Sequence, residues 1–367
     1  MSTIAYVRAT NVYDDSRATK EIKTLVEGGH MVYVLGWNRN DEPIDTCKRV
    51  FRECGKKVRF AFYECPLPNG IGLKNISKLI GFNKWIMKML NAIRSLDSVH
   101  ICNLDTAIGA VKFCKNHKIP YVYDIYDYYI DSHDIPAALC GMIERMEIAV
   151  INNARVTIIC TEERREQIAK ANPRKVCVIH NSPDVGEVEI KEQIYDYVYC
   201  GSFGDMRLLK EILEDYPWHE EYRIVTAGYG QYCEIAKGLN EKYDNFTFLG
   251  SVEYSKVLEL ETESKVISAI YQPTIRNHRL CAPNKFYEAL SLAKPVIVCR
   301  GTGIDRIVEE NNIGIVIDYS SKQFYDALSK LCCDDALCSE MGKRARRIYE
   351  EKFSWDIMKA RLLNLYE

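Results

Sequence analysis

The sequence predicts two α/β domains in tandem, each built on a doubly wound sheet of parallel strands. Short apolar runs rich in Val, Ile and Tyr alternate with helix-length amphipathic segments along the 367 residues. Such alternation is typical of βαβ units, whose strands are parallel. The pattern runs through the first half of the chain, stops at a polar and acidic stretch near residues 180–192, and resumes in the second half.

The first half of the chain contains seven predicted strands, most of them separated by helical segments. Arg17–Glu27 and Thr106–Asn116 have the pattern of amphipathic helices, and Gly28 and Gly29 form a stop signal after the first of these. The predicted strands are Thr3–Val7, Met31–Gly36, Val58–Tyr63, Val99–Cys102, Tyr121–Ile125, Val156–Cys160 and Val176–Ile179.

The second half repeats this organisation. We expect one domain at residues 1–183, a second at 184–350 and a C-terminal helical segment at 351–367. Ligands of such sheets bind at the carboxyl ends of the strands, and a cleft between two domains is the usual site. The predicted strands are Tyr197–Cys200, Arg223–Thr226, Phe246–Leu249, Val266–Tyr271, Pro295–Val298 and Ile313–Ile317.

The composition excludes several classes of protein. Hydrophobic residues make up 47% of the chain and the formal net charge is −2, which argues against broad disorder and against nonspecific nucleic-acid binding. Fifteen scattered cysteines without a C-x-x-C pair predict reduced, mostly buried thiols in a cytoplasmic protein. No apolar run is long enough to predict a transmembrane helix.

One segment, residues 48–94, is strongly basic. It holds eleven Lys or Arg residues against two glutamates. Helical periodicity from Lys74 to Arg94 places four lysines on one face, with Phe82, Trp85 and Met89 on or beside it. Two interpretations are open: a helix that binds an anionic membrane surface, and a surface helix with a solvated basic face.

The most informative segment is 271–298. A strand ends, a polar loop follows, and a helix begins near Pro283. Free N–H groups and the helix dipole favour an anion at this N-terminus, so Asn284 and Lys285 are predicted to hold a phosphate. Glu288, one turn later, is predicted to accept hydrogen bonds from the two hydroxyls of a ribose. The alternative is an ordinary surface helix with a solvated lysine and glutamate.

This segment resembles the nucleotide-binding signature of the GT-B glycosyltransferases, in particular the variant P-N-K-x-x-E-x-x-x-x-x-K-P-V-I of the large retaining family 4. The resemblance implies two tandem Rossmann-like domains, a nucleotide-sugar donor and a ribose-binding role for Glu288. The fuller family motif has a further glutamate eight positions earlier, where this chain has Leu280. The Pro-Asn-Lys branch commonly lacks that glutamate.

Other parts of the second half match the family in the expected order. The stretch 199–204 resembles the glycine turn whose backbone approaches the donor phosphates, which assigns that role to Gly201. The cation pair that retaining members place against the diphosphate falls at Ser202 and near Arg207. Gly228 stands in a G-x-G like that of the family, and Val252 ends the segment whose backbone contacts the base. Residues 353–366 resemble the C-terminal helix that crosses back to the first domain.

The first half matches the family more loosely. Asp14, Arg17 and the residues up to Val32 resemble D-x-R-x-x-K-E-x-x-L-x-x-x-G-H-x-V, which implies an acceptor-side role, although a helix N-cap also explains Asp14 and Arg17. Tyr126 and Asp127 stand where many members have His and Glu. Retaining members often use that histidine near the reacting centre.

The resemblance implies a retaining glycosyltransferase that moves a sugar from a nucleotide diphosphate donor, UDP most of all, to a saccharide or polyprenyl-linked acceptor. Arg207, Lys285 and Asp127 are the predicted catalytic residues, and no metal or other cofactor is expected. We expect a cytoplasmic enzyme, peripheral on the inner face of the plasma membrane if residues 48–94 bind lipid. Two alternatives are open: a nonhydrolysing sugar-nucleotide epimerase, and a pseudoenzyme that acts as partner or chaperone of an active transferase. Hydride-transfer and P-loop enzymes are excluded because their glycine motifs are absent from the sequence.

Overall fold

The computed structural model describes residues 1–13, 15–39, 44–66, 76–186 and 192–367. These residues form two compact units. The N-terminal unit comprises residues 1–180 together with 358–367, and the C-terminal unit comprises residues 181–357. The expected boundaries were 183 and 350. Part of the polar and acidic stretch between the two halves, residues 187–191, lies outside the described residues.

The N-terminal unit contains a seven-stranded, wholly parallel sheet in the order β3-β2-β1-β4-β5-β6-β7. The strand order reverses between β1 and β4, as in a doubly wound sheet. All seven predicted strands are present. They are β1 (Thr3–Val7), β2 (Met31–Asn38), β3 (Val58–Glu64), β4 (Ser98–Cys102), β5 (Tyr121–Ile125), β6 (Val156–Ile159) and β7 (Val176–Val178).

Helices connect these strands. Asp15 is the N-cap of the first helix, and its side chain accepts a hydrogen bond from the Ala18 amide. That helix ends before Gly28, as the glycine signal predicts. The helices are α1 (Ser16–Glu27), α2 (Ile44–Val50), α3 (Ile76–Ala92), α4 (Leu104–His117), α5 (Tyr129–Ser132) and α6 (Ala137–Asn153).

The C-terminal unit contains a six-stranded parallel sheet in the order β10-β9-β8-β11-β12-β13. The order reverses between β8 and β11, so their carboxyl ends are the switch point of this sheet. All six predicted strands are again present. They are β8 (Tyr195–Ser202), β9 (Ile224–Tyr229), β10 (Phe246–Phe248), β11 (Ser264–Ala269), β12 (Val296–Cys299) and β13 (Gly314–Ile317).

The helices of this unit cover both faces of its sheet, and the apolar residues divide into two buried clusters accordingly. They are α7 (Leu209–Asp215), α8 (Cys233–Lys242), α9 (Tyr254–Thr262), α10 (Asn284–Ser291), α11 (Ile304–Asn311), α12 (Ser321–Cys333) and α13 (Asp335–Ile348). The last helix, α14 (Trp355–Leu363), begins in this unit and continues into the N-terminal unit.

The end of α14 packs with the N-terminal unit. From residue 358 onward the chain belongs to that unit. The Met358 sulfur accepts a hydrogen bond from the His180 amide, and Arg361 donates to the Val178 carbonyl. Near the C-terminus, the Tyr366 hydroxyl lies 2.6 Å from Nδ1 of the buried His100. The last residues therefore contribute to the core of the N-terminal unit.

The aromatic residues of helix α3 do not lie where the sequence predicted. Phe82 is completely buried and Trp85 stacks against it, because both rings pack with Tyr63 beneath the helix. These aromatic residues are therefore part of the core and not of a lysine-rich membrane face. The packing explains the glycine at position 81 of this helix, because a Cβ there would lie only 2.6 Å from the Tyr63 hydroxyl. Lys74 lies outside the described residues.

Two further predictions concern the whole chain. Nine of the fifteen cysteines are buried, which confirms that most are small core residues. Among the helices that the structure describes, none has the length and apolar character needed to cross a bilayer.

Candidate nucleotide-sugar site

The candidate site lies at the switch point of the C-terminal sheet. Strand β8 ends at Gly201 and Ser202, and the adjacent β11 leads through a loop into α10, which begins at Asn284. A short 3₁₀ helix that ends at Arg207 follows β8. The sequence thus brings Gly201, Arg207 and the first turn of α10 to one edge of one sheet, the usual ligand position in this fold.

Lys285 lies over the end of β8. A Cβ built on Gly201 would be 2.9 Å from the Lys285 Nζ, so only glycine leaves this amine its position. The Nζ atom is 5.4 Å from the centre of the Tyr199 ring. Burial disfavours the charge, but the electrostatic effects of Tyr199 and Glu288 outweigh burial and raise the pKa of Lys285 above its ordinary value. Lys285 therefore remains a cation at neutral pH.

Arg207 supplies the second cation. Its guanidinium carbon lies 3.8 Å from the centre of the Tyr271 ring, in the loop that follows β11. The Nη1 atom is buried and has no hydrogen-bond partner. A buried guanidinium N–H without an acceptor is costly, so its orientation favours an anionic ligand.

The two cations act on the same pair of rings. Burial raises the pKa of Tyr199 and of Tyr271, and in each case both Lys285 and Arg207 oppose this rise. The positive charges therefore converge at the end of β8 and β11. This arrangement is suited to the two phosphates of a nucleoside diphosphate.

The N-terminus of α10 adds hydrogen-bond donors. Pro283 precedes the helix and provides no side-chain cap, so the first N–H groups have no side-chain partner from that residue. The Asn284 Oδ1 atom is buried without a partner. Asn284 and Lys285 thus lie in the first turn of α10, as predicted, and the binding of a phosphate there stays a prediction.

Glu288 lies one turn further along α10 and is only 2% exposed. Its Oε1 atom accepts a hydrogen bond of 2.9 Å from the Tyr254 hydroxyl of α9. It also contacts the buried carboxyl group of Glu261. Glu288 is thus a fixed acceptor and not the solvated helix residue of the alternative interpretation.

The backbone alone accounts for glycine at position 228, and the predicted contact of Gly228 with a nucleotide sugar stays a prediction. Gly201 and Gly228 face each other where β8 pairs with β9. A Cβ on Gly228, whose φ is +150°, would be 1.8 Å from the Gly201 carbonyl oxygen. The Gly228 amide also donates to the Gly250 carbonyl, at 2.7 Å. The glycine pair therefore lets β8 and β9 approach closely beside the site.

Two other predicted donor-side residues are less engaged. Ser202 is exposed at the end of β8, and its carbonyl accepts a hydrogen bond from the Tyr199 hydroxyl. Val252 packs against the apolar cluster that contains Phe286. Their predicted contacts with the phosphates and the base stay predictions.

In the N-terminal unit, Arg17 belongs to a buried network. It is 2% exposed and donates to Glu21 Oε1 at 3.0 Å, Asp124 Oδ1 at 2.8 Å and the Ile179 carbonyl at 3.0 Å. Burial opposes the charge of Asp124, but Arg17 and His100 hold its pKa below the ordinary value. With its donors so engaged, Arg17 stabilises the fold of this unit, and the acceptor-side role assigned to it is not supported by its contacts.

Tyr126 and Asp127 follow β5 and are half-buried to exposed. The Tyr126 hydroxyl lies 2.7 Å from the Tyr6 hydroxyl, and its ring lies beneath the Arg8 guanidinium at 4.0 Å. Asp127 is 3.4 Å from Arg164 Nη2, with 47% of its side chain exposed. Their predicted acceptor-side and catalytic roles stay predictions, while Asp14 lies outside the described residues.

One group of side chains in this unit has the composition of a metal site. The ligand atoms of His100, Cys102 and Asp124 lie within 4.8 Å of one another, and all three residues are buried. However, His100 Nδ1 already contacts Tyr366 and Asp124 Oδ1 already binds Arg17. These contacts indicate a hydrogen-bonded core whose cation is Arg17.

Sequence reasoning missed four residues of the candidate site: Tyr199, Tyr271, Tyr254 and Glu261. Tyr271 is the last residue of the predicted strand Val266–Tyr271, at a switch point, which is a signal that could have identified it. Tyr199 lies in the glycine turn and was assigned no role. Tyr254 and Glu261 come from a separate helix, and nothing in their spacing relates them to Glu288.

Comparison with known protein families finds a similarity in the C-terminal unit. Residues 198–334 match the family model described as glycosyl transferases group 1. This part of the chain is therefore similar to the group 1 glycosyltransferases. Spore coat protein SA of Bacillus subtilis (strain 168) is 29% identical over 129 residues, which are 34% of this chain and 32% of that relative. The match thus spans about a third of the length of the relative.

The whole chain has the fold of solved structures. Sucrose-phosphate synthase from Thermosynechococcus elongatus superposes with a TM-score of 0.73, covering 100% of this chain and 98% of the other, at 13% identity. Anabaena HepE, in complex with UDP and glucose, gives a TM-score of 0.68, covering 100% and 99%, at 14% identity. TarM of S. aureus gives a TM-score of 0.71, covering 100% and 99%, at 12% identity. The predicted GT-B fold of two Rossmann-like domains is confirmed.

Proposed function

We propose that this protein is a glycosyltransferase that moves a sugar from a UDP-sugar to a saccharide or lipid-linked saccharide. The observation that carries the proposal is the convergence of Arg207 and Lys285 on Tyr199 and Tyr271 at the switch point of the C-terminal sheet. The buried Nη1 of Arg207 has no acceptor within the protein. The pyrophosphate of a nucleotide sugar would provide one.

The chemistry follows from the charge of the leaving group. When the bond from the sugar to the diphosphate breaks, negative charge grows on the phosphate oxygen. Lys285, Arg207 and the N–H groups at the start of α10 are held in place before the reaction, so they stabilise this charge without reorganising. Such electrostatic stabilisation is commonly worth several kcal/mol of activation energy.

The nucleoside part of the donor is held by Glu288 in this proposal. A buried carboxylate fixed by the Tyr254 hydroxyl has lone pairs left for the two hydroxyls of a ribose. UDP is favoured as the nucleotide because the similar structures of Anabaena HepE were solved with UDP, UDP and glucose, or UDP-glucose. Retention of configuration is proposed from the family resemblance, with departure and attack on one face of the sugar and no protein nucleophile.

The acceptor side is proposed to lie on the N-terminal unit near Tyr126 and Asp127. The acceptor would be a saccharide or a polyprenyl-linked saccharide used in surface polysaccharide assembly. Asp127 remains half-exposed, so it is available to contact an acceptor hydroxyl. Replacement by Asn should lower turnover and leave UDP affinity unchanged, and equal losses in both would contradict this assignment.

We propose that the protein is cytoplasmic and attaches peripherally to an anionic membrane through α3. Ile76 and Ile80 are 47% and 51% exposed, and Lys84 and Lys88 continue the same outward stripe at four-residue spacing. Charge reversal at Lys84 and Lys88 should abolish sedimentation with vesicles of anionic lipid at low salt. Sedimentation equal to that of the unaltered protein would contradict the attachment.

The direct test of the donor is calorimetric titration with UDP, GDP and dTDP, first without metal and then with magnesium. We expect binding of UDP without added metal, loss of that binding in Glu288→Ala, and a circular dichroism spectrum like that of the unaltered protein. Glu309→Ala, on the exposed face of α11, is a matched control that should bind UDP normally. Binding of none of the nucleotides would contradict the proposal and favour the pseudoenzyme.

A turnover assay distinguishes an epimerase from a transferase. An epimerase converts a nucleotide sugar with no acceptor present, whereas a transferase consumes UDP-sugar productively only when a saccharide acceptor is supplied. Isomerisation of the sugar in a reaction with the donor as the single substrate would therefore overturn the transferase proposal.

A further inference from the structure

The carboxyl groups of Glu261 and Glu288 lie together in the C-terminal unit. Glu261 is on α9 and is 1% exposed, while Glu288 is on α10 and is 2% exposed. The two helices pack against each other, the two carboxyl groups interact, and the Oε2 atom of Glu261 is buried with no partner. Nothing in the sequence analysis or in the proposed donor site gives Glu261 a role.

Two buried carboxyl groups in contact do not both carry a negative charge, because their repulsion adds to the cost of burial. Burial, followed by the charge of Glu288, raises the pKa of Glu261 well above its ordinary value, and Lys285 offsets this only in part. Tyr254 and Cys200 also face this pair from α9 and β8. Glu261 therefore holds the proton, and Glu288 accepts a hydrogen bond from it.

We propose that Glu261 is a positioning residue whose protonated carboxyl group donates a hydrogen bond to Glu288 and, with the Tyr254 hydroxyl, fixes that carboxylate to receive a ribose diol. The inference rests on the proposed function of Glu288. Two donors from α9 then hold one carboxylate of α10. The carboxylate cannot rotate freely, so less conformational entropy is lost when a nucleotide binds.

This role predicts that loss of Glu261 weakens only the binding of ligands that carry the ribose hydroxyls. Glu261→Ala should weaken UDP binding about tenfold, the typical value for one hydrogen bond to a charged group. Binding of 2′,3′-dideoxy-UDP should be almost unchanged, since that ligand offers Glu288 no hydroxyls. Glu261→Gln keeps a donor for Glu288 and should bind UDP nearly as well as the unaltered protein.

Infrared spectroscopy gives a readout that needs no nucleotide. The difference spectrum between the unaltered protein and Glu261→Gln at neutral pH should contain the carbonyl stretch of a protonated carboxylic acid. Glu259→Gln removes an exposed carboxylate of the same helix, which pairs with Lys256, and should produce no such band. Circular dichroism of each variant establishes that it is folded.

The outcomes separate the two proposals. A protein that binds no UDP contradicts the proposed function, and the infrared band then still decides whether Glu261 holds the proton. If UDP binds to the unaltered protein, but Glu261→Ala weakens the binding of UDP and of dideoxy-UDP equally, or weakens the binding of neither, the positioning role is overturned. Absence of the carboxylic acid band overturns it as well.

Discussion

The guanidinium carbon of Arg207 lies 3.8 Å from the centre of the Tyr271 ring. Tyr271 follows β11, and Arg207 follows the neighbouring strand β8, so the contact joins the two strands at which the sheet reverses its order. The ring holds the guanidinium group while its Nη1 atom lacks an acceptor. The guanidinium group is thus held in place with one buried N–H donor available to bind an anion.

Removal of the Tyr271 ring should weaken UDP binding through Arg207. Tyr271→Ala is expected to raise the UDP dissociation constant about tenfold, because a partly buried cation–π contact is worth about 1–2 kcal/mol. Tyr271→Phe keeps the ring and is the control, with affinity near that of the unaltered protein. Calorimetry measures the UDP affinity of both variants. If Tyr271→Phe loses as much affinity as Tyr271→Ala, the hydroxyl group and not the ring is what binding requires.

Arg17 should affect folding far more than nucleotide binding. Arg17→Met leaves Asp124 and Glu21 buried without their cation, and should cost about 3–5 kcal/mol in the free energy of unfolding. Lys23→Met on the same helix breaks a partly exposed pair with Glu53 and should cost less than about 1 kcal/mol. Urea unfolding provides both values, and a small effect at Arg17 would return it to an acceptor-side role.

Gly→Ala substitution should have opposite effects on stability at Gly228, beside the site, and at Gly238, within α8. Gly228→Ala places a Cβ against the Gly201 carbonyl and should destabilise the protein by roughly 3 kcal/mol or more. Gly238 lies within α8, where a Cβ meets nothing within 4 Å, so Gly238→Ala should stabilise by about 0.5–1 kcal/mol. Thermal unfolding compares the two, and equal shifts would be inconsistent with the close approach of β8 and β9.

Glu147 should make stability fall as the pH rises through the mildly acidic range. Burial raises its pKa from 4.5 to about 7, although Tyr123 donates to it at 2.8 Å. Between those pH values the folded protein keeps a proton that the unfolded chain has lost. Stability therefore decreases with pH, by about 3 kcal/mol in total at roughly 1.4 kcal/mol per pKa unit.

Urea unfolding at several pH values between about 4.5 and 7 measures this effect. Glu147→Gln should reduce the fall in stability with pH without abolishing it. The amide does not titrate and the Tyr123 hydroxyl can rotate to satisfy it, while the raised pKa of Glu261 continues to act in the same direction. Glu144→Gln, one turn earlier and paired with Lys170, should keep the slope of the unaltered protein. An unchanged slope in Glu147→Gln would contradict the raised pKa.

Much of the fold could be predicted from sequence because the inner strands of both sheets are buried on both faces. β1 has its predicted bounds, Thr3–Val7, since a parallel strand of this kind is a continuous apolar run. β9 was predicted to end at Thr226 but continues to Tyr229. Its extension contains Gly228, a residue disfavoured in strands that is here required by Gly201.

The candidate site could be predicted only where one segment contains it. Asn284, Lys285 and Glu288 share one helix, so their spacing and the preceding Pro283 identified them. The contact between Arg207 and Tyr271 joins residues from two separate loops, and that between Glu261 and Glu288 joins two helices. Such contacts depend on tertiary packing. Arg17 shows the converse, because a polar residue in a motif turned out to be buried.

The most direct test of the central claim compares UDP with 2′,3′-dideoxy-UDP on the unaltered protein and on Glu288→Ala by calorimetry. If Glu288 accepts both ribose hydroxyls, the unaltered protein should prefer UDP about a hundredfold, since two hydrogen bonds to a carboxylate are involved. Glu288→Ala should then bind the two ligands with equal affinity. A Glu288→Ala protein that still prefers UDP by the same factor would contradict the assignment of the nucleotide site.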